Sequence, residues 1–430
     1  MNFVKLKQLW QAHDLRKDIL FALGIILVSR ILAHIPIPGI DSSSLRTYIE
    51  GNQILGLLNI FTGGGLSNFS VVMLGLGPYI TASIIFQLLT MVIPRIEELS
   101  KEGERGRQKI NQWTRYLTVP LALIQAYATI VFLSQGQAGS ANILGSLSTF
   151  ELVSAMISVT VGTLFLMWLG ELLSEKKIGN GISILIFAGI VSSLPQAVLQ
   201  AWSDFQSGTG DITKIIIFAV ISLITIAAVV YITEAQRNIP ISYARQVLGS
   251  RIYGGSRTHL PLRINPVGMI PIIFAISIVI FPPFLARFFI GAQSPWLAGF
   301  AQRVIDLFNN QLFYGVSYFL LVVGFTYFYT AIVFQPTQIA ENLQKQSGFI
   351  PGIRPGKETS HYLSKTMNRI VLAGALFLAL VAILPVLIQQ MGGFNLVVGG
   401  ASLLIVVGVV IEIVKQVDSQ LTMRHYEGIE

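Results

Sequence analysis

Long apolar runs alternate with polar connections along most of the chain. Ten of these runs have about 20 residues, the length of helix that crosses a hydrocarbon core. They cover residues 19–37, 71–93, 113–133, 151–173, 182–202, 214–233, 266–290, 312–334, 369–390 and 394–414. The runs lack the apolar and polar alternation of membrane-barrel strands, and a helix satisfies its own backbone groups in lipid. The pattern therefore predicts an all-α polytopic membrane protein with ten transmembrane helices.

The overall composition agrees with a membrane protein. Of the 430 residues, 53% are hydrophobic and 12% are charged, whereas about 25% are charged in an ordinary soluble domain. The chain contains no cysteine, which excludes disulfides and thiolate metal sites. Its five histidines are scattered and have no metal-ligand spacing. We therefore expect no metal site.

The basic residues indicate how the chain is oriented. Most of the 29 lysines and arginines lie in alternate connections, and the intervening connections hold only Arg46, Lys214, Arg287 and Arg303. Because cytoplasmic loops are enriched in Lys and Arg, this asymmetry predicts that both termini are cytoplasmic. The first run contains Arg30 and is followed by IPIPG rather than by a cleavage site, so we expect it to be a retained span and not a signal peptide.

The ten runs divide into two sets of five. Because five is an odd number, the second set enters the membrane from the opposite side, which is how inverted repeats arise. We expect an N-terminal half at 19–202 and a C-terminal half at 212–414, joined by an external hinge at 203–211. Cytoplasmic segments at 1–18 and 415–430 flank the two halves.

Two basic connections are too long to be simple turns. The connection at 234–265 has five arginines together with tyrosines and β-branched residues, which favours a folded hairpin. The connection at 335–368 contains the turn sequence FIPGIRPG, with Arg354 at its tip. Such loops can merely follow the positive-inside rule, or they can dock an acidic or phosphate-bearing partner. Charge alone leaves both interpretations open.

Residues 59–70, NIFTGGGLSNFS, place three consecutive glycines directly before an apolar run. The segment is too short and too rich in glycine to span a membrane, because glycine costs about 1 kcal/mol per helical position relative to alanine. Non-helical backbone is tolerated at membrane depth where it is buried in protein or lines a water-filled cavity. We therefore interpret it as a loosely packed re-entrant segment, with an ordinary external loop as the alternative.

Motifs of catalysis and nucleotide binding are incomplete in this sequence. GLGPYI at 75–80 lacks the third glycine of a dinucleotide fingerprint, and GIRPGKE at 352–358 lacks the Ser or Thr of a phosphate loop. Acidic residues within the runs are few, whereas an ion-coupled transporter usually has ionisable or polar groups near the membrane centre. We expect neither enzyme activity nor a cofactor. An ion-coupled secondary transporter stays open as an alternative function.

Six segments form a more specific pattern when they are taken together. They are FTGGGLSNFSVVMLGLGPYITASIIFQLL at 61–89, KEGERGRQKINQWTRY at 101–116, KIGNGISILIFAGIV at 177–191, THLPLRIN at 258–265, GFIPGIRPG at 348–356 and GGASLLIVVGVVIE at 399–412. In this order and spacing they resemble the SecY/Sec61 α family of protein-conducting channels, over essentially the whole chain. The resemblance implies a clamshell of two five-helix halves around an hourglass pore. Unfolded secretory polypeptides would cross the cytoplasmic membrane through that pore.

The resemblance also implies roles for particular residues. A short plug helix at about 60–70 would close the pore from outside, and a ring of apolar side chains would close its waist. Clefts between the second and third spans and between the seventh and eighth would form a lateral gate, through which hydrophobic segments enter membrane lipid. The implied plug residues are Phe61, Gly63, Gly64, Gly65, Leu66, Ser67 and Asn68. The implied ring residues are Ile80, Ile84, Ile182, Ile186, Ile273 and Ile405, which periodicity alone would assign to ordinary packing.

The same resemblance implies partners that drive transport and partners that hold the two halves together. The two basic loops would dock the SecA ATPase and the ribosome, including its RNA phosphates, through Arg245, Arg251, Arg354 and Lys357. A SecE subunit would clamp the two halves, often together with SecG. The pore would receive a secretory preprotein with its signal sequence in the bacterial cytoplasmic membrane.

Overall fold

The chain folds mainly into helices in the residues that the structure describes. The computed structural model describes residues 12–38, 45, 49, 56, 59, 62–135, 148–206, 212–243, 246–248, 251–253, 257–290, 294–392 and 400–427. The first helices are α1 (His13–Ala33), α2 (Gly77–Val92), α3 (Pro94–Lys101), α4 (Glu104–Gln135), α5 (Thr149–Glu175), α6 (Gly181–Gln206) and α7 (Ile212–Glu234). The later helices are α8 (Ile270–Phe288), α9 (Pro295–Asn309), α10 (Gln311–Val333), α11 (Pro336–Lys345), α12 (Lys357–Gly392) and α13 (Gly400–Glu427). The strands are β1 (Gln236–Tyr243), β2 (Gln246–Leu248), β3 (Arg251–Tyr253), β4 (Arg257–Arg263) and β5 (Gly348–Phe349).

Each predicted apolar run overlaps one long helix among these residues. The helices that correspond to the runs are, in order, α1, α2, α4, α5, α6, α7, α8, α10, α12 and α13. Within the described chain, three stretches are long and apolar enough on their own to cross a membrane: Thr149–Glu175, Gln311–Lys345 and Lys357–Leu387. The helical fold class is confirmed, whereas the count of ten membrane-crossing helices stays a prediction.

A sharp bend separates α2 from α3, with an angle of 103° between the two helices. The bend lies at Ile93, which is extended and precedes Pro94 in the first turn of α3. A residue before proline is disfavoured in helical geometry, and proline is well tolerated at a helix start, so this pair ends one helix and begins the next. α3 then lies against the start of α4, where a Cβ on Gly106 would come within 2.8 Å of the Leu99 carbonyl carbon.

The largest apolar core joins the two halves of the chain. It takes buried side chains from α1, α5 and α6 in the N-terminal half and from α8, α10, α12 and α13 in the C-terminal half. Large apolar side chains on the outer helix faces are exposed, such as Leu223 at 71% and Leu320 at 62%. Faces of this kind suit lipid, which is as apolar as leucine.

The two long basic connections meet in one small sheet. β1 pairs antiparallel with β4, from Gln236 opposite Arg263 to Ser242 opposite Arg257. The other edge of β1 pairs with β5, which belongs to the second connection, so the strand order is β4-β1-β5. The hairpin predicted at 234–265 is confirmed. The strand contributed by 335–368 was not predicted from the sequence.

A separate apolar cluster fixes this sheet to the start of α12. Its buried members are Ile239, Leu262, Ile350, Leu363, Met367 and Val371. They come from β1, β4, the turn after β5 and the first turns of α12. The two loops and the start of α12 therefore form one packed unit.

We expect Leu363→Ala to lower the free energy of unfolding of this unit by about 2–5 kcal/mol, because it removes a fully buried leucine. Thermal denaturation and protease cleavage within the loops will measure the loss. The matched control is Leu372→Ala, which is also on α12 but 48% exposed and should cost about 0.5 kcal/mol or less. Equal protease sensitivity in the two variants would contradict the packed unit.

Candidate functional site

Most of the ring isoleucines lie in the core that joins the halves. Ile186 and Ile405 are buried members, and Ile273 is 8% exposed. Ile80 and Ile182 are partly buried and pack against the same cluster. These residues come from α2, α6, α8 and α13, which are far apart in sequence. Five of the six predicted residues therefore belong to this one extended core, together with many other apolar side chains, and their arrangement as a ring stays a prediction.

Ile84 differs from the other five. It is 4% exposed, but it is not a member of the joining core. Ile84 lies one helical turn beyond Ile80 on α2. Conversely, Ile184 and Ile276, which were not selected from the sequence, are buried in that core. Residue type and the family pattern did not separate these positions, because every span is rich in isoleucine.

The two halves also meet along α8. This helix contacts both α2 and α4 of the N-terminal half. These three helices correspond to the second, third and seventh predicted spans, which are three of the four helices expected at the lateral gate. On the other side of the molecule α6 packs against α13. The contact surfaces between the halves are therefore made of helix faces on both sides.

The segment predicted as a plug helix is not helical over its described part. Residues 62–69 form consecutive turns, and Phe61 lies outside the described residues. Gly63 and Gly64 have φ of 65° and 84°, a left-handed conformation that glycine adopts without steric cost. Helical residues occur just before the segment, at Gly56 and Asn59. The glycine run accounts for the difference, because it favours turns over a helix.

Local hydrogen bonds satisfy the backbone of this segment. The backbone N–H of Gly64 donates to Asn59 O at 2.8 Å, and that of Ser70 donates to Gly65 O at 2.9 Å. The backbone N–H of Ser67 donates to the Asn59 Oδ1 at 2.9 Å, and the Ser67 hydroxyl donates to Gly64 O at 2.9 Å. The polar residues of the segment thus replace the backbone partners that a helix would have supplied.

The segment is packed more firmly than its glycine content suggested. Leu66 and Phe69 are almost fully buried, in a second cluster with α4 and α5. Phe69 also has a positive φ of 44°, which is unusual for a bulky residue and shows that packing holds it there. Burying such side chains stabilises by about 1.5–3 kcal/mol each, so displacing the segment is costly.

The chain after α1 holds the far end of the segment. The Ile37 N–H donates to Phe69 O at 3.0 Å, and the Val71 N–H donates to Ile35 O at 3.1 Å. The Asn68 side chain donates to Ala33 O at 3.2 Å. Residues 68–71 are therefore tied to the end of α1.

The predicted docking residues differ in how far they can be placed. Arg354 is exposed in the turns that follow β5, and Lys357 is exposed at the first position of α12. The Thr359 hydroxyl donates to Arg354 O at 2.9 Å, which fixes the backbone of the tip. Arg251 lies in β3, and Arg245 lies outside the described residues.

A polar contact between the halves was not found by sequence reasoning. The Gln420 side chain of α13 donates to Lys177 O, in the turn between α5 and α6, at 2.7 Å. The Lys176 ammonium in the same turn lies 3.1 Å from the Asp18 carboxylate of α1. The turn between α5 and α6 thus contacts the C-terminal half through Lys177 and α1 of its own half through Lys176. Within the described part of the chain, no three metal-binding side chains cluster.

Comparisons with known proteins agree on one family. A family model for SecY matches residues 70–414. The chain belongs to the SecY family. Protein translocase subunit SecY of Streptomyces galbus is 44% identical over 434 residues, which cover 97% of this chain and 98% of that relative. Membership assigns the chain a channel role in the Sec translocon as a multi-pass membrane protein, and it decides against the ion-coupled transporter.

Solved structures support the same fold. A SecY structure whose plug domain is described as stabilising the closed state and maintaining a membrane seal gives a TM-score of 0.63 at 17% identity, over 93% of this chain and 91% of that chain. Sec61 in a canine ribosome–channel complex gives 0.56 at 18% identity, over the same 93% and 91%. At these identities the likeness establishes the architecture of a protein-conducting channel.

The residues just after the predicted plug make a contact that a single methyl group would disturb. A Cβ on Gly162 of α5 would come within 2.8 Å of the Val71 carbonyl carbon and closer still to its oxygen. We expect Gly162→Ala to destabilise the protein by about 1–3 kcal/mol, because the backbone at Val71 must shift. Thermal unfolding of the purified protein will measure it. Gly324→Ala on α10, where a Cβ meets nothing within 4 Å, is the control and should be neutral or slightly stabilising. Similar melting temperatures for both variants would refute the close contact.

Proposed function

We propose that this chain is the pore subunit through which unfolded polypeptides cross a bacterial cytoplasmic membrane, with both chain termini on the cytoplasmic side. The observation that carries the proposal is the SecY family match over a fold whose two halves share one apolar core. The chain acts as a passive conduit and catalyses no reaction. The bacterial relative and the distribution of basic residues support this location and orientation.

Five isoleucines of the joining core form the constriction of the pore. Ile80, Ile182, Ile186, Ile273 and Ile405 supply aliphatic side chains without hydrogen-bonding groups. A translocating chain carries side chains of every polarity, so the waist must bind none of them strongly. A narrow apolar ring also hinders water and ions, as hydrophobic gates do in channels. Ile84 flanks this ring as a sixth member on α2.

The segment at about 60–70 is the plug on the external side of the ring. Its turn structure and its burial against α4 and α5 suit a re-entrant element held within the protein. The plug domain of the related SecY structure is described as maintaining a membrane seal, and the same role fits this segment. Displacement of the segment opens the path.

Hydrophobic signal sequences leave the pore sideways between the halves. The contact of α8 with α2 and α4 is the boundary that parts. Apolar surface gains about 25 cal/mol per Å² when it passes from water into lipid. Sufficiently apolar segments therefore leave through this lateral gate, and polar segments continue along the pore.

A crosslinking experiment tests the pore. Ile186→Cys and Val198→Cys are introduced singly into this cysteine-free chain. Both lie on α6, but Val198 is 67% exposed on the outer surface whereas Ile186 is 3% exposed in the core. A secretory precursor with one mid-chain cysteine, stalled during SecA-driven transport, should form a disulfide with position 186 and not with position 198. A precursor that reaches neither site, or only 198, while SecA still binds would place the polypeptide path elsewhere.

Partners on the cytoplasmic side supply the driving force. The exposed Arg354 and Lys357 suit carboxylates of the SecA ATPase or RNA phosphates of the ribosome, because guanidinium and ammonium groups donate to both. The Sec61 complex with a ribosome supports ribosome docking. We assign Arg245 and Arg251 to the same docking surface from the sequence. A SecE subunit and SecG complete the complex around the two halves.

We expect Arg354→Glu to lower SecA-driven transport by about tenfold, the effect of losing one hydrogen bond to a charged group. The measurement is precursor uptake into proteoliposomes that contain the assembled complex. Arg303→Glu, an exposed charge reversal on α9, is the control and should transport normally. Undiminished uptake with Arg354→Glu, in a complex that assembles, would remove this residue from the docking surface.

A further inference from the structure

Arg30 is a charged residue within α1, four positions before the helix-ending His34. Its side chain is only partly exposed, and its Nε is buried without a hydrogen-bond partner among the described residues. Ionisable side chains inside a membrane span are expensive, and they are commonly paired and functional. The roles proposed above for the ring, the docking loops and the apolar cores do not involve the charge of Arg30.

The Arg30 guanidinium bridges three parts of the chain. Its Nη1 donates to the Gly63 carbonyl at 3.3 Å and to the Ser192 hydroxyl of α6 at 3.1 Å. Ser192 in turn donates to Gly189 O at 2.7 Å, so its hydroxyl oxygen is free to accept from the arginine. One side chain therefore connects α1, the glycine segment and α6.

These contacts are more specific than an arginine at a helix end requires. A basic side chain near a helix C-terminus is favourable beside the last carbonyl groups of its own helix. The two partners of Arg30 lie 33 and 162 positions away along the chain instead. Placement at the helix end alone does not explain them.

Gly63 is fitted to this arrangement. A Cβ at this position would come within 2.7 Å of the Gly189 Cα and would overlap the Arg30 Nη1. The positive φ of Gly63 also aims its carbonyl in a direction that other residues rarely adopt. The glycine thus lets the segment backbone lie between the guanidinium and α6.

The opposite end of the segment is held differently. Residues 68–71 are bonded to the end of α1 through Asn68, Phe69 and Val71, none of which contacts Arg30 in the hydrogen bonds described above. Arg30 instead holds the leading end, at Gly63. Loss of the arginine contact would remove this hold on Gly63, whereas the bonds from residues 68–71 to the end of α1 would remain.

We propose that Arg30 is a positioning residue, a charged latch that keeps the leading end of the plug closed against α6. The inference rests on the proposed plug role of residues 60–70. When the segment moves away, water that enters the opened funnel replaces the Gly63 carbonyl as the acceptor. The charge is therefore never left without a partner, and the latch can open and close repeatedly.

Accessibility of a cysteine at Ser67 tests the latch. Ser67 is 7% exposed, and the chain has no other cysteine. The assembled complex with Ser67→Cys is placed in lipid nanodiscs, and its labelling rate by a membrane-impermeant maleimide is measured at rest. We expect addition of Arg30→Gln to raise this rate about tenfold, the effect of losing one hydrogen bond from a charged group. Arg30→Lys should give an intermediate rate, because it keeps the charge but not the fork of donors.

The matched control is Lys17→Gln, which removes an exposed charge from the same helix. It should leave the resting rate unchanged. An Arg30→Gln rate equal to that of the control would overturn the latch. Partial rescue by lysine separates a latch from a general loss of packing, which lysine would not repair.

A second arm separates the latch from the plug itself. Engagement of a stalled precursor should raise the labelling of Ser67→Cys with or without Arg30. If the precursor raises labelling but Arg30→Gln has no effect at rest, the latch is wrong and the plug stands. If the precursor has no effect on labelling, the plug assignment fails first.

Ser192→Ala provides a second variant in case Arg30→Gln does not yield an assembled complex. It removes the α6 partner and leaves the Gly63 contact in place. We expect a rise in the resting rate of about threefold, less than that for loss of the arginine. An unchanged rate would show that the bond between Arg30 and Ser192 plays no part in holding the segment, and it would overturn the latch against α6.

Discussion

Backbone N–H and C=O groups at membrane depth need partners within the protein, since hydrocarbon offers none. The long helices meet this need within themselves. The glycine-rich segment meets it in a less regular way, through turns, through the Asn59 and Ser67 side chains and through the end of α1. The need to pair irregular backbone within the protein therefore explains why this segment is packed against α1, α4 and α5.

The contacts between the halves are of a different kind. The joining core consists mostly of aliphatic side chains, whose attraction has no preferred direction. Surfaces of this kind slide and separate without leaving hydrogen-bonding groups unpaired. Polar links across the halves, such as Gln420 to Lys177, lie at the edge of the contact. The apolar core between the halves is thus suited to separation by different distances. The directional polar links at its edge are suited to restoring one closed arrangement.

Much of the fold was predictable because hydropathy acts locally. Each apolar run carries its own helix signal, and the hairpin at 234–265 has its strands close together in sequence. β5 was not predicted because its two residues form a strand only through pairing with β1, which lies about a hundred positions earlier in the sequence. The assignment of Ile186 and Ile405 to one ring came from family resemblance and not from periodicity, and the structure places both residues in the core that joins the halves. The turns at Gly63 and the partners of Arg30 depend on tertiary contacts that no local pattern encodes.

The shared sheet connects the two long basic loops mechanically to the helices beside them. β1 continues directly from α7, and β4 leads within a few residues into α8. The Ile264 N–H extends the ladder by donating to Ala235 O at 2.9 Å, right at the base of both helices. The Arg354 tip is therefore connected through the hydrogen bonds of β5, β1 and β4 to the bases of α7 and α8. Of these two helices, α8 is the one that also contacts α2 and α4 of the other half, so the loops and the boundary between the halves share one helix.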